Sequence, residues 1–353
     1  MSKKLRIGII GTGGISHHHM RAYRLLSDRC EIVAACDIDE AKLKRYCEKY
    51  NIPAMYTDYN EMMAKEDLDC VSVCTWNSQH MPATVAALKG GANVICEKPM
   101  AMNAAEGEIM KKTAEETGKL LQIGFCRRFG NDADVLKEMI DSGLFGDLYY
   151  ANVKNLRRSG CPGGWFGDKS RSGGGPLIDI GVHVIDLMRY LSGCPKPVAV
   201  FGATYNNLGP GRAKGGFVAW DTEVQEAPYT VEDFATAMVK FDNGLTLSLE
   251  ASFNINIKQD YTNVELFGTK AGCRVDPSVE IYTQYGGRFV NIEPATKVAI
   301  DGEYAMDQEI KGFLDAVEGL APCRATPDDG IWLMKIIDAV YESAQTGKLV
   351  EIQ

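Results

Sequence analysis

"LRIGIIGTGGIS", residues 5–16, decides how the rest of the chain is read. An apolar run stops at a glycine turn, and a helical pattern begins immediately after it. The order predicted is strand, tight turn, helix. Gly11, Gly13 and Ser16 fall at G-x-G-x-x-small spacing, and Asp37 closes the next apolar run, 26 residues after Gly11. Gly11 permits the tight turn and Gly13 lets a pyrophosphate approach the backbone. Gly14 and Ile15 open the helix, whose amino end offers N–H groups and a positive dipole. Asp37 can accept from both adenosine ribose hydroxyls and would repel a 2′-phosphate, and Ile38 after it brings no positive charge. NAD is therefore expected in preference to NADP.

Outward from this turn, the pattern repeats. "EIVAACD", "CVSVCT", "ANVICEK" and "LLQIGF" are apolar strands separated by helical stretches over 39–50, 80–90 and 103–117. Such alternation predicts βαβ units, a mostly parallel doubly wound sheet and an NAD-binding Rossmann domain over 1–126. The pattern then changes to long alternating runs such as "LYYANVKNLRR", "PVAVFGATYNN" and "VEIYTQYGGRFVNIE", with Asn243-Gly244 marking a hairpin. A second, α+β domain with a large, mostly antiparallel open sheet is expected over 127–353. A helix over 176–192 should lie on its sheet, and a last helix is expected over 328–345. The Gly/Pro-rich stretch 208–229 reads as a loop.

The bulk numbers agree with this division. A chain of 353 residues exceeds one ordinary core, and 45% apolar with 24% charged is the composition of a globular protein. A formal charge of −9 argues against nucleic acid or an anionic membrane as partner. No apolar stretch reaches the roughly 20 residues of a membrane span. The amino-terminal basic residues precede a first strand rather than a signal sequence. Eleven cysteines, with no C-x-x-C among them, read as small buried hydrophobes in a reducing, cytoplasmic setting. His17, His18 and His19 are adjacent on a helix and point apart, so no shared metal is expected.

Three constellations carry chemistry. "NVICEKPM" ends a parallel strand with Glu97, Lys98 and Pro99, which should place Lys98 where ligands bind such sheets, with Glu97 and Lys98 both expected at the cofactor. A lysine there can polarise a hydroxyl, although a surface lysine before a turn fits the spacing equally. Thr75, Trp76, Asn77 and His80 end the preceding strand and should face the same cleft. "GGGPLIDIGVHVIDL", 173–187, places Asp179 and His183 four apart on one helix face. That spacing fits an acid/base pair, with the aspartate orienting the imidazole, and it also fits a satisfied core histidine. Between them, "NLRRSGCPGGWFGDKSRSGGG" carries Arg157, Arg158, Trp165 and Lys169, either a sugar-binding wall or a solvated loop.

The strand-turn-helix with Gly11 and Gly13, E-K-P at 97–99, and G-G-x-x-x-D-x-x-x-H ending at His183 resemble the glucose–fructose oxidoreductase/inositol dehydrogenase (Gfo/Idh/MocA) family over nearly the whole chain. The resemblance implies hydride exchange between a nicotinamide and a sugar or cyclitol hydroxyl. It makes Lys98, Asp179 and His183 the catalytic set, with His183 as general base. It assigns Gly11, Gly13 and Asp37 to the cofactor, with Asn77 and His80 beside the nicotinamide ribose. Trp76 departs from the proline common there. It also implies oligomers, here a homodimer or homotetramer through the second-domain sheet.

The leading expectation is an NAD-dependent dehydrogenase oxidising a secondary ring hydroxyl of a sugar, glycoside or cyclitol, with C3 of a glucose-type ring first. Two others stand beside it: a redox-neutral enzyme that keeps its NAD, and a non-catalytic dinucleotide sensor. A sensor would need none of Lys98, Asp179 and His183.

Overall fold

The computed structural model describes residues 3–209, 228–294, 298 and 300–353, so the loop expected over 208–229 falls mostly outside the described residues. The chain divides into two compact units, residues 1–126 with 303–331 and residues 127–302 with 332–353.

In the first unit six strands form one parallel sheet: β1 (Leu5–Ile10), β2 (Cys30–Cys36), β3 (Ala54–Tyr56), β4 (Cys70–Val73), β5 (Asn93–Glu97) and β6 (Leu121–Gly124). Their order is β3-β2-β1-β4-β5-β6. The direction of winding reverses between β1 and β4, and ligands of such sheets bind beyond the strand ends at that point. The loops leaving β1 and β4 meet there. A side chain on Gly11, at φ +91°, would stand 2.6 Å from the Cys74 carbonyl oxygen. Glycine is thus required on two counts, its φ and the close approach.

The segment 303–331 lies with this unit, whereas the sequence suggested an unbroken second domain from 127 to 353. Helix Gly302–Val317 presents Ile310, Phe313 and Leu314 to the core formed by Ile7, Ile9, Met20 and Tyr23. Each such side chain contributes about 1.5–3 kcal/mol on burial. The ion pairs beside them, Arg29 with Asp315 at 2.8 Å and Glu318 at 2.6 Å, are partly exposed and contribute at most about 1 kcal/mol each. Apolar burial therefore fixes where the helix docks.

Among the described residues the second unit holds nine strands: β7 (Leu148–Leu156), β8 (Pro197–Tyr205), β9 (Phe234–Phe241), β10 (Thr246–Ser252), β11 (Tyr261–Gly268), β12 (Ala271–Val275), β13 (Glu280–Tyr285), β14 (Arg288–Ile292) and β15 (Val350–Glu351). They run in the order β14-β13-β12-β11-β7-β10-β9-β8-β15, antiparallel except where β10 joins β7. The β9–β10 hairpin turns at Asn243-Gly244, where Gly244 has φ +92° and Asn243 Oδ1 accepts from the Leu245 amide. Alternation sorts the sheet into two faces. Val200, Val239, Leu247, Ala151, Leu266 and Ile281 align across one buried row, against which helix Val182–Leu191 packs. The other face exposes Phe201, Met238 and Tyr282.

Candidate active site

The dinucleotide turn is built to leave the amides at the start of its helix available. Helix Gly14–Leu25 has Gly13 as N-cap, no side-chain cap and no acidic residue in its first turn. The first N–H groups of a helix lack intrahelical acceptors and attract an anion. Among the described residues a side chain at Gly13 would come near nothing but Lys42 Nζ, at 3.7 Å, so the backbone there is open to a ligand. Among the described residues Thr75 Oγ1, just beyond β4, is buried without a hydrogen-bond partner. An open anion-binding turn, beside a buried hydroxyl left unsatisfied, fits a pyrophosphate-linked cofactor. Asp37 Oδ2 accepts from Thr12 N at 2.7 Å and Thr12 Oγ1 at 2.8 Å, and Oδ1 accepts from Asp39 N. The carboxylate thus fastens the turn as well as standing at the strand end. Lys42 Nζ lies 3.8 Å from it. Neither Thr12 nor Lys42 stood out in the sequence, because nothing in spacing shows that they converge on Asp37.

At the end of β5, Lys98 is the one partly exposed residue between buried Glu97 and Pro99. The Glu97 side chain, expected at the cofactor, turns inward instead, where Oε1 accepts from His19 Nε2 at 2.9 Å and Oε2 from the Lys98 amide at 3.2 Å. Burial alone would raise the Glu97 pKa. The His19 hydrogen bond and charge, with Lys98 nearby, bring it below the ordinary value instead. His80 does not open outward as expected. Its ring is 1% exposed, with Nδ1 2.7 Å from the Pro99 carbonyl and Nε2 3.1 Å from that of Thr75. Burial holds its pKa low despite those contacts, and a neutral ring donates to one carbonyl at a time. His80 thus ties the exits of β4 and β5 together. Asn77 is also buried, while Trp76, Gly14 and Ile15 are partly exposed. The histidine run separates as expected: His17 reaches Tyr50 Oη at 2.6 Å, His18 is half-buried, and His19 faces the interior.

In the second unit Asp179 and His183 do not share a plain α-helix. Leu177–Gly181 forms a π-helical turn, followed by the α-helix Val182–Leu191. Bonding to i+5 widens the turn, and such turns recur at functional sites. Residues four apart still fall near one face. Asp179 is 7% exposed, and His183 is less buried than its neighbours Val182 and Val184. Glu232, which the sequence did not single out, anchors this segment. Its carboxylate accepts from the amides of Gly175 and Leu177 at 2.9 and 3.2 Å and from Tyr341 Oη at 2.9 Å. Gly175 has no room for a side chain, since one would stand 2.2 Å from the Glu232 carbonyl oxygen. In the preceding loop, Trp165 stacks on Phe166 with ring centroids 3.9 Å apart. Arg157 Nη1 donates to the Gly160 carbonyl at 2.9 Å, and Arg158 Nη1 to that of Lys258. Lys169 stands over the Tyr341 ring at 5.5 Å.

Family models add to this geometry. One described as an oxidoreductase family with an NAD-binding Rossmann fold matches residues 5–125, and the GFO/IDH/MocA C-terminal domain matches 134–274. The chain belongs to the Gfo/Idh/MocA oxidoreductases. Within that family it is 35% identical over 353 residues to D-glucoside 3-dehydrogenase of Escherichia coli (strain K12), covering 99% of this chain and 98% of that one. It is 25% identical to the inositol 2-dehydrogenase of Salmonella paratyphi B, covering 99% and 97% of the two chains. The crystal structure of an aldose-aldose oxidoreductase from Caulobacter crescentus, complexed with glycerol, superposes with TM-score 0.80 at 25% identity over 99% of this chain and 100% of that one. This Gfo/Idh/MocA chain is thus an NAD-binding oxidoreductase. No helix among the described residues is long and apolar enough to cross a membrane.

Proposed function

We propose that the protein is an NAD-dependent dehydrogenase that oxidises a secondary ring hydroxyl of a sugar or glycoside, with C3 of a glucose-type ring the first choice. The carrying observation is the full-length similarity to D-glucoside 3-dehydrogenase, and Lys98, Asp179 and His183 are the residues to which the motif resemblance points. When bound, NAD supplies the acceptor for the hydrogen and electron pair that leave the carbon. Lys98 hydrogen-bonds the hydroxyl oxygen and offsets its developing negative charge. His183 takes the hydroxyl proton as C–O becomes C=O, and Asp179 holds the imidazole or the neighbouring hydroxyl. Trp165 offers a flat face to the ring, and Arg157 a cation beside it. Incubation of glucosides and cyclitols with NAD, followed at the NADH absorbance with product analysis, is expected to give a ring ketone. A lactone as sole product would mean oxidation at the anomeric carbon and would sink the secondary-hydroxyl reading.

The preference for NAD is part of the same reading and rests on Asp37. Replacing Asp37 with serine and Ile38 with arginine should shift preference towards NADP, measured as the ratio of kcat/KM for the two cofactors. Because Asp37 also fastens Thr12, kcat/KM with NAD is expected to fall as well. A wild-type enzyme that uses both cofactors equally would overturn the assignment.

A second reading is a redox-neutral exchange between two sugars, favoured by the similarity to an aldose-aldose oxidoreductase. It differs in releasing no NADH into solution: with the acceptor sugar withheld, reduction stops at the enzyme-bound cofactor. The exposed sheet face with Phe201, Met238 and Tyr282 supports a homodimer or homotetramer. The cysteine usage supports a cytoplasmic setting.

A further inference from the structure

Lys98 stands on a turn, yet a lysine that polarises one hydroxyl must be held within about 0.5 Å of its working position. A buried hydrogen-bonded chain runs to that turn from the dinucleotide helix. Tyr23 Oη lies 2.8 Å from Ser72 Oγ, and Ser72 Oγ lies 3.1 Å from His19 Nδ1. His19 Nε2 then meets Glu97 Oε1 at 2.9 Å, and Glu97 Oε2 accepts from the Lys98 amide at 3.2 Å. His19, Tyr23, Ser72 and Glu97 are each at most 7% exposed. An ionised carboxylate only accepts, so His19 donates to it from Nε2. The chain spans three elements: helix Gly14–Leu25, β4 and the end of β5. His19 sits on the same helix whose amino end forms the anion-binding turn, five residues after Gly14.

We propose that His19 is a positioning residue for Lys98, acting through the Glu97 carboxylate to hold the lysine in one frame with the cofactor-binding helix. The proposal rests on the reading of Lys98 as a catalytic residue. Glu97 has one oxygen on each side of the link. Without His19 it keeps its bond to the Lys98 amide but loses its tether to the helix. The lysine then samples positions that do not suit the reacting oxygen, while the glycine turn and its amides stay as they were. The loss should fall on kcat rather than on NAD binding.

The test is a double-mutant cycle on the full-length enzyme, with methyl β-D-glucopyranoside and NAD as probes. His19→Leu is expected to lower kcat about tenfold, with the Kd for NAD, read from tryptophan fluorescence, changed less than twofold. His19→Gln keeps an N–H donor towards Glu97 and should restore kcat to within about threefold of wild type. In the Lys98→Ala background, His19→Leu should cost less than twofold, because nothing remains for it to position. A tenfold loss that persists in that background would show a general structural role and overturn the proposal, as would an unchanged kcat in His19→Leu. Should His19→Leu not fold, Glu97→Gln replaces it in the cycle, keeping the shape and weakening the His19 link, with the same two outcomes. Wild-type turnover in Lys98→Ala alone would instead strike the reading of Lys98 and take the proposal with it.

Discussion

Replacing His183 with alanine is expected to lower kcat by roughly a hundredfold or more, the scale of losing a general acid/base. The Kd for NAD should change no more than about threefold. The two effects separate because the residues sit on different units: the glycine turn and Asp37 belong to the first, and His183 to the second. The surroundings of His183 favour a working imidazole over a structural one. On helix Val182–Leu191, Val184, Ile185, Asp186, Leu187, Met188 and Arg189 are all buried, and His183 is one of two side chains that are not. A histidine kept only for packing would be expected among the buried set. Lys98→Ala should fall similarly in kcat. Steady-state kinetics on the best ring-hydroxyl substrate, with NAD binding measured separately, decides it. Near wild-type turnover in His183→Ala would rule the residue out as base and return the Asp179–His183 pair to a structural role.

The parts of this fold that could be read from the sequence are those written in local pattern. A glycine turn between an apolar strand and a helix announces a dinucleotide site, since few other backbones need glycine at both positions. Asn243-Gly244 announces a hairpin for the same reason. Asp179 and His183 stand out because ionisable residues within an apolar helix are unusual, whereas Lys98 stands out only through the E-K-P resemblance. What stayed illegible depends on contacts between distant residues. Helix Gly302–Val317 was not among the elements expected from the sequence, and periodicity does not say which core accepts its apolar face. The π-helical turn at Leu177–Gly181 leaves no mark in an apolar pattern that reads equally as α. The links Asp37–Thr12, His19–Glu97 and Glu232–Gly175 join residues remote in the chain. The orientation of His80 was likewise settled by the carbonyls that folding brings to it.

The helix that carries His183 has its own anchor, and removing it should have the largest effect on stability of any single change considered. Arg128 and Asp186 are each 1% exposed. Arg128 Nε lies 2.9 and 3.1 Å from the two Asp186 oxygens, and Nη2 lies 2.7 Å from Oδ1. The guanidinium also stands 5.3 Å from the Tyr190 ring centroid. A forked arginine–carboxylate contact of this kind is strong and directional. Whether such a pair stabilises more than well-packed apolar residues would is a separate matter, because two charges have been taken out of water. Breaking it from one side is unambiguous. Asp186→Ala leaves the Arg128 charge buried without its counter-ion and should cost about 3–5 kcal/mol, a large share of the roughly 5–15 kcal/mol that holds a folded domain. At about 2–4 °C per kcal/mol for a unit of this size, the Tm of the second unit should fall by roughly 6 °C or more. The double variant Arg128→Met with Asp186→Leu removes both charges and should recover most of that loss. If Asp186→Ala melted within about 2 °C of wild type, or if the double variant were the less stable of the two, the buried pair would not be what secures this helix. Asp186 lies one turn beyond His183, so Asp186→Ala assayed well below its Tm should also lose kcat while keeping its affinity for NAD.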